Sequence, residues 1–390
     1  MRILQTVFGA FHHFELAREL DRRHHLEAIY STWPWRRLQR EGLPHKKVQT
    51  FAYFGVPDYL LHRSGLDLPR LQDWIGYRNA LAFDGWTTTQ LRSLYSRKIN
   101  IDALIGISGS SLRAGRLAQQ HGAKFICDRG STHQRFQEQI VSEEYRRWSV
   151  DHPVSDERDT LREEAIYEAA DAITVPSSAA CRSFVQMGVP AHKLHVIPYG
   201  VRLENFQPTA DPPQNEFHVL FAGAVSLRKG IPYLLQAFAA LKHPRKRLHV
   251  VGSIQPELKP ILATLPQQTV EFLGTLPQPE LAALMSRSHV LVLPSIEEGL
   301  ALVQAQALAC GCPVICSTAT GGEDLFTDGE EGYITPVRDT GALTDRLQRL
   351  VDDPHLQQAM RAAGLSRVQK LGGWSTYGDR WETLLYNLTA

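Results

Sequence analysis

Short apolar runs, each followed by a turn of small residues and a stretch of helical character, recur along the whole chain. Runs bounded in this way by Gly, Pro and Ser are typical of parallel strands buried on both faces of a sheet. Their alternation with helices predicts an α/β protein with doubly wound, Rossmann-like sheets. The runs are Met1–Phe8, Ala103–Ile107, Lys124–Cys127, Ala172–Val175, His195–Ile197, His218–Phe221, Leu248–Val251, His289–Leu293 and Pro313–Cys316.

The length of 390 residues favours two domains over one. A polar, proline-rich joint without periodicity lies between Pro198 and Glu216, as is typical of an interdomain linker. We therefore predict one domain over residues 1–208, a second over 209–372, and a C-terminal helix over 373–390.

Composition excludes several classes of protein. The net charge of +1 gives no reason to expect nucleic acid as a partner, and five cysteines do not form a disulfide framework. No run approaches the roughly 18 apolar residues of a membrane span, and the N-terminus reads as a strand, not as a signal peptide. We expect a cytoplasmic protein, at the inner face of the membrane if its acceptor is a lipid.

One candidate anion site follows the strand that ends near Phe221. A turn containing Gly223 and Ser226 leads to the cations Arg228 and Lys229, and a helix is predicted from Ile231-Pro232. A helix N-terminus with its free amides attracts anions, and the two cations would add to that attraction. An ordinary strand-to-helix loop with exposed basic residues is the alternative.

A second element follows the strand His289–Leu293. Its loop holds Glu297, Glu298 and Gly299, and a helix of small and apolar residues is predicted from Leu300 to Gly311. The helix starts where the carboxyl edge of a parallel sheet is expected, which is where open α/β folds bind ligands.

These segments resemble the donor-binding half of the retaining glycosyltransferases of family 4, which have the GT-B fold. The resemblance rests on Glu298-Gly299, on Ala309-Cys-Gly-Cys-Pro-Val-Ile315, and on stretches such as Val196-Ile-Pro-Tyr-Gly-Val-Arg202 and Phe272-Leu-Gly-Thr-Leu276. It runs in order from about residue 165 to 340, whereas residues 1–160 match only in outline. The resemblance implies two Rossmann-like domains that face each other across a cleft.

The resemblance also implies residue roles. Lys229, with Arg228 beside it, would neutralise the donor pyrophosphate, and Glu298 would orient the sugar as a catalytic residue. The amides at the start of the predicted helix would donate to phosphate oxygens. Gln306 would face the ribose, and the turn at Gly274 would contact the base. The implied donor-binding residues are Gly9, Gly223, Ser226, Arg228, Lys229, Thr275, Leu276, Leu300, Ala301, Leu302, Val303 and Gln306.

Three positions depart from the family pattern. Gln306 stands where the family has its second glutamate, Ala224 where an arginine is usual, and Ala301 where a glycine is common. These departures leave open an alternative function as a catalytically weakened binding or regulatory subunit of the same fold.

The predicted activity is a retaining, metal-independent transfer of a sugar from a UDP- or GDP-sugar to a saccharide, lipid-linked or other hydroxyl acceptor. No Asp-x-Asp pair is present, and cations with a helix N-terminus stabilise a departing pyrophosphate without an ion. We therefore expect neither metal nor cofactor.

The first half supplies weaker candidates. Gly9 would approach the donor phosphates, and His133, just beyond a strand, would lie near the donor sugar. The pairs His12-His13 and His24-His25 are not expected to bind metal, because adjacent side chains diverge on a helix. The same applies to Cys310, Cys312 and Cys316, which are expected to pack as small apolar residues.

Two further segments carry clustered charge. Residues 33–47 combine Trp33 and Trp35 with basic side chains, a pattern that suits peripheral contact with an anionic bilayer, a saccharide groove or a plain loop. The charged stretch 140–165 is expected to be a solvated helix face or a mobile surface excursion. The aromatic helix Trp374–Tyr386 is expected to return to the first domain.

Overall fold

The computed structural model describes residues 1–51, 69–151 and 156–390, and it contains two parallel sheets with helices on both faces. The strands are β1 (Ile3–Val7), β2 (Leu26–Ser31), β3 (Val48–Thr50), β4 (Ala103–Ile107), β5 (Lys124–Asp128), β6 (Ala172–Val175), β7 (Leu194–Val196), β8 (Phe217–Ala222), β9 (Lys246–Val251), β10 (Val270–Gly274), β11 (Val290–Leu293), β12 (Val314–Ser317) and β13 (Gly332–Thr335). The α-helices are α1 (Phe11–Arg22), α2 (Trp35–Leu38), α3 (Pro69–Ser96), α4 (Leu112–Gln120), α5 (Gln134–Arg147), α6 (Glu157–Ala169), α7 (Ser178–Gln186), α8 (Ile231–Ala240), α9 (Lys259–Leu262), α10 (Gln278–Ser286), α11 (Val303–Ala309), α12 (Thr340–Asp352), α13 (Pro354–Val368) and α14 (Trp374–Thr389).

The two sheets confirm the predicted pair of doubly wound domains. The first has the order β3-β2-β1-β4-β5-β6-β7 and the second the order β10-β9-β8-β11-β12-β13, with all pairs parallel. In each sheet the order reverses beside its first strand, between β1 and β4 and between β8 and β11. Ligands of open α/β sheets bind at such switch points, beyond the carboxyl ends of the strands.

Apolar cores lie on both faces of each sheet. Every predicted apolar run coincides with a strand to within a few residues, and the central strands are almost wholly buried. One core fills the second domain, and the first domain has a separate core on each face of its sheet. Within the described residues, no helix is both long and apolar enough to cross a bilayer.

The last helix, α14, packs on the first domain, although the second domain precedes it in the chain. Its Trp381 is completely buried in the core beside α1. Arg23, directly after α1, reaches the carboxylate of Asp379, with 2.5 Å between Nη2 and Oδ1. The chain thus crosses between the domains twice, once after β7 and once before Trp374.

The two crossings lie side by side. A Cβ on Gly200 would come 2.5 Å from the backbone nitrogen of Trp374, so that only glycine fits. The amide of Val201 also donates to the carbonyl of Gly372, at 3.4 Å. Both connections therefore leave the first domain at one place.

Candidate active site in the cleft between the domains

The loops after β8 and β11 touch each other at the switch point of the second sheet. The amide of Ile296 donates to the carbonyl of Arg228 at 2.8 Å. Gly230 lies so close to the carbonyl of Pro294 that a side chain there would overlap it. Helix α8 begins at Ile231, as predicted, and the close contact explains why a glycine precedes it.

Two cations of the first loop face two carboxylates of the second. Lys229 Nζ forms an ion pair with Glu298 Oε2. Arg228 Nη1 lies 3.2 Å from Glu297 Oε2 and donates to the Glu297 carbonyl at 3.0 Å. The loop that carries these cations and the loop that carries Glu298 therefore lie side by side at the switch point, and their joint binding of one diphosphate stays a prediction. The side chain of Arg228 is 35% exposed and lines the cleft, so that it remains accessible to a ligand.

The helix after Glu298 starts later than predicted. Helix α11 begins at Val303, not near Leu300, and has seven residues. The amide of Ala301 donates to the carbonyl of Thr320 at 3.1 Å and is therefore not free for a phosphate oxygen. Of the four amides predicted to receive phosphate, those of Leu300, Leu302 and Val303 remain candidates.

The other predicted donor-side residues surround these loops at different depths. Ser226 Oγ accepts from the Lys229 amide at 3.3 Å and so fixes the turn that carries the cations. Gly223 lies directly against Gly252, and a Cβ on Gly252 would overlap the carbonyl of Gly223. Thr275 is exposed at the end of β10, whereas Leu276 and Gln306 are half-buried.

On the opposite wall, two histidines of α1 converge on Asp128 at the end of β5. Asp128 Oδ2 lies 3.2 Å from His12 Nε2 and 3.3 Å from His13 Nε2. The expectation that adjacent histidine side chains diverge is wrong here, because the two rings stack with centroids 4.0 Å apart in the first turn of the helix. Their ligand atoms lie within 4.8 Å of one another, which is compatible with a metal ion.

Burial sets the charge of this group. Burial, together with the neighbouring His12, lowers the pKa of His13 to about 3 against the attraction of Asp128, so that His13 is neutral near pH 7. Burial alone would raise the pKa of Asp128, but the electrostatic interactions with the imidazoles of His12 and His13 and the hydrogen bonds with His12 and Thr174 hold that pKa below its usual value. Asp128 is therefore a buried carboxylate at the edge of the cleft.

Gly9, at the turn before α1, has its backbone polar groups already bonded. Its amide donates to Thr32 Oγ1 at 3.0 Å, and its carbonyl accepts from Ser31 Oγ at 2.6 Å. Its φ is +76°, and a Cβ would lie 2.9 Å from the ring of Trp33. These contacts account for the glycine without a ligand.

The structure does not bring His133 into the cleft. Its side chain is 2% exposed and caps α5, with Nδ1 accepting from the Arg135 amide at 3.2 Å. The ring packs between Tyr167 and Phe184, each with its centroid 5.0 Å away. Burial lowers the pKa of His133 to about 4. The predicted place near the donor sugar is therefore corrected, and His12, His13 and Asp128 hold the cleft-facing positions instead.

Two adjoining cavities form the cleft. One, of about 530 Å³, is lined by Ser226 and Arg228 of the second domain. The other, of about 450 Å³, is lined by the His12, His13 and Asp128 group. Gln134 and Gln137 line both cavities, so that the cavity beside Arg228 adjoins the one beside Asp128.

Charged residues of α5 join the domains outside the cleft. Glu144 is completely buried and accepts from Tyr233 at 2.8 Å and from Arg338 Nε at 2.7 Å. The expectation of a solvated face is therefore wrong for this part of the stretch 140–165, because the second domain covers it. Periodicity within one helix gives no signal for a partner that lies 194 residues away.

Comparison with known families gives two matches in the expected order. Residues 12–200 match a model described as a glycosyl transferase 4-like domain, and residues 204–367 match the model of glycosyl transferases group 1.

Individual relatives match at moderate identity. The chain is 30% identical to the MMP alpha-(1->4)-mannosyltransferase of Mycolicibacterium hassiacum, over 53% of its own length and 51% of that protein. It is 29% identical to a D-inositol 3-phosphate glycosyltransferase of Pseudarthrobacter chlorophenolicus, over 58% of each chain. Each match covers little more than half of either protein.

Solved structures match along the whole chain. Sucrose-phosphate synthase from Thermosynechococcus elongatus superimposes with a TM-score of 0.73 at 23% identity, over 100% of this chain and 99% of that one. Anabaena HepE in complex with UDP superimposes with a TM-score of 0.68 at 15% identity, over 99% and 100%. At these identities the likeness establishes the fold.

Proposed function

We propose, for a chain that belongs to the group 1 glycosyltransferases of GT-B fold, that it transfers a sugar from a nucleotide donor to a hydroxyl acceptor with retention of configuration. One observation carries the proposal. The cations of the loop after β8 and the carboxylates of the loop after β11 meet at the switch point, and the cavity lined by Arg228 adjoins the one lined by Asp128.

The donor pyrophosphate would bind to Lys229 and Arg228. Its negative charge would take the place of Glu298 beside the Lys229 ammonium, which frees the carboxylate to hydrogen-bond a sugar hydroxyl. Positive charge placed where the leaving group develops negative charge lowers the barrier to its departure. Glu298 would then orient the anomeric carbon and would not act as an acid.

The reaction would break the bond between the anomeric carbon and the donor phosphate oxygen. The acceptor oxygen would form the new bond on the same face of the sugar, and its proton would pass to the departing phosphate. No protein base is required by this route, and the nucleoside diphosphate leaves with the proton and the bonding electrons.

Asp128 and His12 would hold the acceptor hydroxyl on the opposite wall. Asp128 is ionised and already accepts from Thr174 Oγ1 at 2.9 Å, so that it can receive an acceptor O–H. Such a hydrogen bond aligns the attacking oxygen, which is an effect of orientation. A lipid-linked acceptor is also compatible, because Arg36, Arg37, Arg40 and Lys46 are exposed on this domain and would attract an anionic bilayer.

The alternative, a weakened binding subunit, is less favoured. The departures at Ala224, Ala301 and Gln306 leave the Lys229–Glu298 pair intact, and Arg228 supplies the positive charge that Ala224 lacks. Curated relatives named as mannosyl- or inositol-phosphate glycosyltransferases support an active enzyme, with the sugar and acceptor still to be identified.

A ligand screen followed by a transfer assay tests the proposal. We expect one of UDP, GDP and ADP to raise the unfolding temperature of the purified chain, because a ligand that binds only the folded state stabilises it. The corresponding nucleotide-sugar should then be hydrolysed slowly, or transferred when a saccharide acceptor is added. If none of the three nucleotides binds and no nucleotide-sugar is consumed, the proposal is wrong.

The predicted metal independence has its own test. The same assay with EDTA should retain its rate, since the leaving group is stabilised by side chains. Loss of activity with EDTA and recovery with Mn²⁺ would contradict this part. The His12, His13 and Asp128 group is the place to examine in that case, because its atoms are close enough for an ion.

A further inference from the structure

Glu297, the residue beside the family's glutamate, is a buried charge at the boundary of the two domains. Its side chain has no exposed surface. Burying a carboxylate is costly unless charged or hydrogen-bonding partners replace the lost water. The hydrogen-bonding partners of Glu297 therefore indicate which segments its carboxylate holds in place.

Three of the four side-chain partners come from the other domain. Glu297 Oε1 accepts from Ser131 Oγ at 2.8 Å and from Thr132 Oγ1 at 2.7 Å. Oε2 accepts from Gln137 Nε2 at 3.1 Å and from Arg228 Nη1 at 3.2 Å. The same carboxylate thus touches the acceptor-side segment 131–137 and the donor-side cation.

The acceptor-side segment is itself braced by Arg129. Its guanidinium donates to the Thr132 carbonyl at 3.0 Å and to Gln137 Oε1 at 2.9 Å, and it pairs with Glu163 at 3.2 Å. Two of the groups that hold Glu297 are therefore fixed before the second domain meets them. This support indicates that the segment 131–137 holds Glu297 in a defined position.

We propose that Glu297 is a positioning residue that aligns Arg228 only when the two domains are closed on each other. The inference rests on the proposed function and adds to it a physical link between closure and the geometry of the donor site. Glu297 does not need to touch either substrate. Its carboxylate competes with the donor phosphates for Arg228. It therefore lowers the affinity for the donor but holds the Arg228 guanidinium in the position that the reaction needs.

This competition gives a signature that a merely structural role would not produce. In Glu297→Gln the hydroxyls of Ser131 and Thr132 can still donate to the amide oxygen, but Arg228 loses its nearer ionic partner and keeps only Glu298, at 3.9 Å. Affinity for the nucleoside diphosphate should stay equal or rise up to about threefold, because Arg228 is freed for phosphate. Turnover should fall at least tenfold, the size expected for a lost charged hydrogen bond.

Glu144 supplies a matched control. It is equally buried, it accepts hydrogen bonds from Tyr233 and Arg338 across the same domain boundary, and its hydrogen-bond donors, Trp148, Tyr233 and Arg338, are distinct from the donor-site cations. Glu144→Gln removes the same charge from the same interface. We expect its nucleotide affinity to match the wild type within twofold and its loss of turnover to be at least fivefold smaller than that of Glu297→Gln.

The experiment uses the full chain, with titration calorimetry of UDP and GDP and steady-state kinetics with the corresponding nucleotide-sugars. Weaker nucleotide binding in Glu297→Gln, or kinetics equal to those of Glu144→Gln, would overturn the inference while leaving the proposed function standing. A wild type that binds none of UDP, GDP and ADP and consumes no nucleotide-sugar contradicts the proposed function instead.

A second variant keeps the test decisive if Glu297→Gln does not fold. Gln137→Ala removes one hydrogen bond to Glu297 from the opposite domain and leaves every charge in place. We expect lower turnover with unchanged nucleotide affinity, in the same direction as Glu297→Gln but smaller. Unchanged turnover in Gln137→Ala would also overturn the inference.

Discussion

The two walls of the cleft are built in different ways. On the donor wall, Arg228 and Lys229 stand next to each other in sequence, as do Glu297 and Glu298, and one loop-to-loop contact joins the pairs. On the acceptor wall, His12 and Asp128 are 116 residues apart and meet only because β1 and β5 end at the same edge. Residues that are neighbours in sequence form a recognisable motif. Residues that only the strand order of the sheet brings together do not.

The largest expected effect lies on the donor wall. Lys229→Ala removes a cation from the predicted leaving-group site, and we expect the kcat/KM for the nucleotide-sugar to fall by about 10²- to 10³-fold, as when one preorganised stabilising group is lost. Lys259→Ala is the matched control, an exposed lysine of the same domain. Equal kinetics of the two variants would contradict the assignment of Lys229.

A smaller effect, confined to one substrate, is expected on the acceptor wall. Asp128→Asn keeps the shape of the side chain but weakens its bond to an acceptor hydroxyl, and we expect transfer to fall by roughly 10- to 100-fold. Titration of the nucleoside diphosphate should give the wild-type Kd. A parallel loss of nucleotide affinity would show that the two walls do not divide the substrates as proposed.

The walls should also differ in their response to acid. Because the pKa of folded His13 is lowered to about 3, the unfolded chain takes up a proton below about pH 6.5 that the folded chain refuses, and stability falls as the pH drops. His13→Gln should remove up to about 1.4 kcal/mol per pH unit from that slope between pH 6 and 4.

Urea unfolding at several pH values measures this slope. His192→Gln, at an exposed histidine, should leave the slope as it is in the wild type. If the slope of His13→Gln equals that of His192→Gln, His13 is not held neutral in the folded protein.

The smallest expected effect restores a family residue on the donor wall. Gln306→Glu would replace a neutral hydrogen bond to ribose by a charge-assisted one, and we expect nucleotide affinity to rise roughly threefold. The gain should be the same for the nucleoside monophosphate and diphosphate, since ribose is common to both. A gain seen only with the diphosphate would place Gln306 near phosphate instead.

The fold could be predicted from the sequence because its central strands are continuous apolar runs. The strands without a predicted run, such as β2 with Glu27, the three-residue β3, and the short β13, lie away from the centre of each sheet. β3 and β13 are edge strands of three and four residues, which is too short for a clear apolar run, and β2 is paired on both sides but is interrupted by Glu27.

The site could be predicted only in part, for a related reason. The cations and the carboxylates each lie on a motif within a single segment, and the structure brings the two motifs side by side, whereas the roles of their residues stay predictions. The start of α11 was misplaced because the Ala301 amide bonds to Thr320, a contact between distant segments. The expectation that Glu144 is solvated is wrong for the same reason, because only the assembled domains show that it is covered.

The adjacent crossings at Gly200 and Trp374 restrict how the two halves can move. Two chain connections that leave at one point permit rotation about a single axis and oppose sliding. Any opening must therefore be widest on the side remote from this axis, and a substrate would enter there. Fusing or cross-linking residues next to the crossings would leave such a rotation free, whereas a cross-link on the far side would arrest it.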